Sequence, residues 1–73
     1  MVAVVVRIPG GVWRLVAGPF EHVAEAHEVA RRVLADTPSG EAIVATCPWD
    51  PWAGERQNVD RAREQGAIER VTL

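Results

Sequence analysis

Val2-Ala3-Val4-Val5-Val6-Arg7-Ile8, then Pro9-Gly10-Gly11, then Val12-Trp13-Arg14-Leu15-Val16-Ala17 is the stretch whose reading decides the fold. Each flank is short, apolar and rich in β-branched residues, which favour a pleated strand. Pro-Gly-Gly interrupts them as a short loop, so the pair reads as a β-hairpin. A three-residue loop sets Ile8 against Val12, Arg7 against Trp13 and Val6 against Arg14. A loop one residue longer would oppose Arg7 to Arg14, an unfavourable like-charge pair. In the shorter register one face carries Val2, Val4, Val6, Ile8, Val12 and Val16. The other carries Ala3, Val5, Trp13, Leu15 and Ala17. Both faces are apolar, so both need cover.

Downstream, Gly18-Pro19 ends the second strand, and Phe20 to about Ala35 reads as a helix. Val23, Ala26, Ala30, Val33 and Leu34 fall on one stripe at 3.6-residue spacing. Glu21 and Glu25 stand early, and Arg31 and Arg32 late, in keeping with the helix dipole. Glu28 and Arg32 are one turn apart and suited to pairing. Asp36-Thr37-Pro38-Ser39-Gly40 is a loop by composition. Glu41 to Thr46 is a third strand, interior because its middle is apolar throughout. A second helix runs from near Gly54 or Glu55 to Gln65, and Gly66 is placed as its C-terminal cap. Ala67 to Leu73 is a fourth strand.

The expected fold is α/β (α+β), one domain over 1–73, with elements in the order ββαβαβ. Strand–helix–strand units favour parallel pairing and right-handed crossovers. Two successive crossovers in one direction give a mixed four-stranded sheet with both helices on one face. The hairpin's far face would then stay open.

At 73 residues the chain is short. A domain of this size buries only about 60% of its unfolded surface, which leaves a thin stability margin. Small folds gain support from disulfides, a metal or a partner chain. Cys47 is the only cysteine, which rules out an internal disulfide and suits a reducing compartment. Self-association, most simply as a homodimer, is the remaining route. Val5, Trp13 and Leu15 on the open face are the expected self-interface.

The formal net charge of −2 argues against nucleic acid as the main partner. All eight basic residues are Arg, and Lys is absent, as expected of a GC-rich genome such as that of an actinobacterium or one of its phages. Met1 to Val6 is too short for a membrane span and lacks the basic start of a secretory signal. The expected location is the cytoplasm.

Cys47-Pro48-Trp49-Asp50-Pro51-Trp52 is the segment hardest to read as scaffold. Proline restricts its backbone, and tryptophan is enriched in interface hot spots. Trp49, Asp50 and Trp52 are therefore the candidate contacts for a protein partner. The same two tryptophans could instead plug the end of a small core, because the second helix offers only Val59 and Ala62 along its middle.

No catalytic residues are assigned. Cys47 would need a neighbouring base to act as a nucleophile, and His22 and His27 are both distant in sequence. Those histidines are five apart, whereas metal-binding pairs on one helix prefer a spacing of four. No metal or other cofactor is expected. Gly10-Gly11 precedes a strand and so forms no phosphate loop. Arg7 and Arg14 are candidate anion contacts without the wider basic excess of a nucleic-acid surface. Arg56 and Asp60 are placed to pair on a solvated, mixed-charge helix.

Val12–Leu34 resembles half of a SPOR domain, whose units run strand, Gly-Pro-Phe or Gly-Ser-Phe, then an Ala-rich helix. Gly18, Pro19, Phe20, Ala24 and Ala26 carry the likeness, which covers about a third of the chain. The resemblance implies glycan binding on an open sheet face. Three expectations follow: a non-enzymatic, self-associating protein-interaction module; a glycan or small-ligand binder; and a small oligomeric enzyme with a site shared between subunits.

Overall fold

The computed structural model describes residues 2–8 and 11–73. The strands are β1 (Val2–Arg7), β2 (Trp13–Phe20), β3 (Glu41–Ala45) and β4 (Ile68–Val71). The helices are α1 (Val23–Asp36) and α2 (Glu55–Glu64). The ββαβαβ order is the one expected, and the strands form one sheet in the order β2-β1-β3-β4. Most of the hairpin loop, Pro9 and Gly10, lies outside the described residues. The register that its length implies is present, with Arg7 opposite Trp13 and Val6 opposite Arg14. Among the described residues no helix is long and apolar enough to cross a membrane.

Two expectations about the sheet are corrected. All three neighbouring pairs are antiparallel, so the sheet is not mixed. β2 and β3 do run parallel, but β1 lies between them. The second helical connection joins the antiparallel neighbours β3 and β4, so no crossover handedness governs where α2 lies.

The second correction follows from the first: the helices cover opposite faces. Ala26, Ala30 and Leu34 of α1 pack on Val2, Val4, Val6, Ala42, Val44 and Val71. Val59 of α2 packs on Val5 and Ile43, which alternate with those residues and point the other way. Ala62 extends that second layer over Ala45 and Cys47. Among the described residues sixteen apolar ones are buried, and ten of them lie in β1, β3 and β4. The central strands are apolar on both sides because each side has a helix to meet.

β2 departs from a regular strand. Val5 pairs with Leu15 but Val4 pairs with Ala17, which leaves Val16 as an inserted residue. The insertion moves Ala17 to the Val4 face. A second shift separates the Val4–Ala17 and Val2–Phe20 pairs. Gly18 lies there with φ +126°, and a Cβ on it would stand 3.0 Å from the Ala3 Cα. Only glycine fits that combination. Phe20 therefore ends a strand instead of starting a helix, and it packs on the α1 layer. The helix starts at Val23, so Glu25 is the acid of its first turn, and Arg31 and Arg32 precede its last turn. Glu28 and Arg32 pair at 3.2 Å as expected. Gly66 ends α2 at φ +66°, with the Ala67 N–H donating to the Ala62 carbonyl at 2.8 Å.

Candidate functional site

The loop from Thr46 to Gly54 joins β3 to α2 and carries the tryptophan pair. It is fastened at its base, where the Thr46 N–H and hydroxyl both donate to the Ala67 carbonyl, at 2.8 and 3.2 Å. Its centre is fastened by Asn58, the one buried polar residue among those described, at 1% exposure. The Asn58 Oδ1 accepts from the Asp50 N–H at 2.8 Å. Its Nδ2 donates to the Asp50 carbonyl at 2.9 Å and to the Gly54 carbonyl at 3.1 Å. One side chain thus satisfies both backbone groups of Asp50, as a neighbouring strand would.

Arg61 completes the brace. Its Nη2 donates to the Asn58 Oδ1 at 2.7 Å and to the Pro48 carbonyl at 2.9 Å. The Asp50 carboxylate turns back on its own loop and accepts from the Trp52 N–H at 2.9 Å. This is an Asx turn, which fixes the approach to Pro51 and Trp52. Every buried side-chain polar atom among the described residues has a partner.

The brace separates the two tryptophans. Trp49 is half-buried and packs against both the Val5–Ile43–Val59 and the Ala45–Cys47–Ala62 clusters. It is a core plug. Trp52 is 94% exposed. Asp50 is half-buried and committed to the loop. Of the three expected partner contacts, the structure leaves only Trp52 wholly free.

The expected self-interface divides in the same way. Val5 is fully buried beneath α2 and presents no surface, because α2 takes the face expected to be open. Trp13 is half-buried against that cluster. Leu15 remains 41% exposed, with Val16 of β2 at 46% and Val12, just before β2, at 72%. The apolar surface left over is the edge of the hairpin, not a sheet face.

Nothing local in the sequence marks Asn58 as buried. It stands in the polar run Glu55-Arg56-Gln57-Asn58, which reads as solvated helix surface. The available signal was its position: Asn58, Val59 and Ala62 share one helix face, so the buried side of α2 includes an amide.

Among the described residues no hydrogen bond joins Cys47 to an imidazole. Cys47 is buried against Ala45 and Ala62 on the α2 side of the sheet. His27 lies on α1 and meets Glu69 at 2.9 Å on the other side. His22 is the residue before α1. The sheet stands between the thiol and the His27 imidazole. Among the described residues no group of three or more His, Cys, Asp or Glu could hold a metal ion. Arg56 and Asp60 do not pair. They line, with Arg7, Trp13, Glu55 and Arg63, a cleft of about 530 Å³ between the Arg7–Trp13 pair and α2.

No protein-family model, curated protein or solved structure matches this chain, so the likeness of Val12–Leu34 to a SPOR half-unit gains no family support.

Proposed function

We propose that this chain is a non-enzymatic interaction module that binds protein, with a second copy of itself as its first partner. Trp52 is the anchor, and the exposed apolar edge of β2, centred on Leu15, is the second contact. The observation that carries this reading is the 94% exposure of Trp52 on a loop held by the Asn58 brace. A large aromatic side chain on a pre-ordered loop loses little conformational entropy on binding. The exposed Leu15, Val16 and Val12 add apolar area of the kind that marks contact surfaces. The lone cysteine supports a reducing compartment, and we place the module in the cytoplasm.

Helices packed on both faces favour this reading over glycan binding on an open sheet face. Cys47 and His27 lie on opposite sides of the sheet, which favours the non-enzymatic reading over the cysteine version of the enzyme reading.

Sedimentation equilibrium from low to high micromolar concentration tests the proposal. The expected result is a mass rising towards a dimer for the wild type. Trp52→Ala and Leu15→Arg should each shift the equilibrium towards monomer while keeping the native circular dichroism spectrum. A wild type that stays monomeric throughout overturns self-association. A Trp52→Ala variant that associates as the wild type does removes Trp52 as the anchor.

A further inference from the structure

Arg32, Arg61 and Arg70 each make a side-chain hydrogen bond. Among the described residues Arg7, Arg14, Arg31, Arg56 and Arg63 make none. Three of these five arginines, Arg7, Arg56 and Arg63, line the same cleft, which lies between the Arg7–Trp13 pair and α2. Isolated surface arginines are unremarkable, but here one from β1 and two from α2 gather around one cleft.

The cleft has one anchored wall, at Trp13. Arg7 and Trp13 are directly opposed in the hairpin, and the Arg7 guanidinium carbon lies 5.6 Å from the Trp13 ring centroid. That contact steadies the cation, and no hydrogen bond among the described residues takes its N–H donors. Trp13 is itself packed against the Val5–Ile43–Val59 cluster. Arg56 and Arg63 lie two helical turns apart on one side of α2, with Asp60 between them. Glu55 and Asp60 also line the cleft, yet neither reaches an arginine within ion-pair distance among the described residues. Charges of both signs are thus held open instead of neutralising one another.

We infer that this cleft binds a small hydroxylated phosphate ester. Arg7, Arg56 and Arg63 take the phosphoryl oxygens. Glu55 and Asp60 accept hydrogen bonds from hydroxyl groups on the same molecule. Planar guanidinium forks match phosphoryl oxygens, and three of them suit a dianion better than a carboxylate with two oxygens. The two carboxylates and the net charge of −2 repel a continuous phosphate backbone, so the ligand is small and not a nucleic acid. This inference is independent of the binding role given to Trp52 and Leu15.

The test is an NMR titration at low protein concentration with ribose 5-phosphate, inorganic phosphate and ribose at constant ionic strength. Ribose 5-phosphate should shift the Arg7, Arg56, Arg63 and Trp13 indole N–H signals to saturation, and bind more tightly than inorganic phosphate. Ribose alone should cause no shift. Arg56→Gln with Arg63→Gln should weaken binding by about tenfold or more, as loss of charge-assisted hydrogen bonds implies. Arg14→Ala with Arg31→Ala, uncommitted arginines outside the cleft, should leave binding unchanged, and amide dispersion confirms that each variant is folded. Shifts spread equally over Arg14 and Arg31, or wild-type binding by the folded double glutamine variant, overturn the site. Equal affinity for inorganic phosphate and ribose 5-phosphate overturns the role of Glu55 and Asp60.

Discussion

Asn58 holds Asp50 by both of its backbone groups, accepting from its N–H at 2.8 Å and donating to its carbonyl at 2.9 Å. Through this pair a helix that offers little apolar surface governs the shape of the loop before it. The amide anchors the turn, the turn directs Trp49 inward, and the Asx turn of Asp50 carries the chain on to an exposed Trp52.

Asn58→Ala should be among the most damaging single polar substitutions in the chain. It orphans the Asp50 N–H and carbonyl and removes an acceptor from Arg61, costing about 2–4 kcal/mol. Asn58→Asp keeps the acceptor for Arg61 but turns an oxygen towards the Asp50 and Gly54 carbonyls, so it should not rescue. Urea unfolding measures both, and a loss of under about 0.5 kcal/mol in the alanine variant would show that the brace is dispensable.

The tryptophans should part company under mutation. Trp49→Ala removes a side chain shared by two core clusters and should cost about 2–4 kcal/mol. Trp52→Ala should change stability by no more than about 0.5 kcal/mol. Thermal or urea melts of the two single variants provide the comparison. A large loss in the Trp52 variant would mean that its ring is covered in solution.

Two glycines should respond in opposite directions. Gly18→Ala meets both a left-handed φ and the Ala3 Cα, and should destabilise by about 1–3 kcal/mol. Gly54 is the N-cap of α2, at φ −68° and ψ 161°, with no side-chain cap and nothing near an added Cβ. Gly54→Ser should therefore stabilise by about 0.5–1 kcal/mol through capping and a stiffer unfolded chain. Equilibrium unfolding of both variants checks the contrast.

Cys47, at 6% exposure, should be silent towards a thiol reagent such as Ellman's in the native protein and fully reactive in urea. Rapid native labelling would contradict the packing of Cys47 against Ala45 and Ala62.

The sequence by itself determined the order of elements, the hairpin register and the buried stripe of α1. These depend on local periodicity and on the short distance across a turn. The Arg7–Trp13 pairing follows from loop length and the avoidance of facing arginines, and Ala26, Ala30 and Leu34 follow from helical spacing. Only the tertiary structure decided the face taken by α2, the inserted residue at Val16 and the fates of Trp49 and Trp52. A helix joining antiparallel neighbours is free of the crossover rule, and Val59 with Ala62 is too sparse a signal to choose a side. Val5 and Ile43 made the choice, because they needed cover on the face that α1 left open. The tryptophans have the same local chemistry, and what separates them is one amide on the buried side of α2.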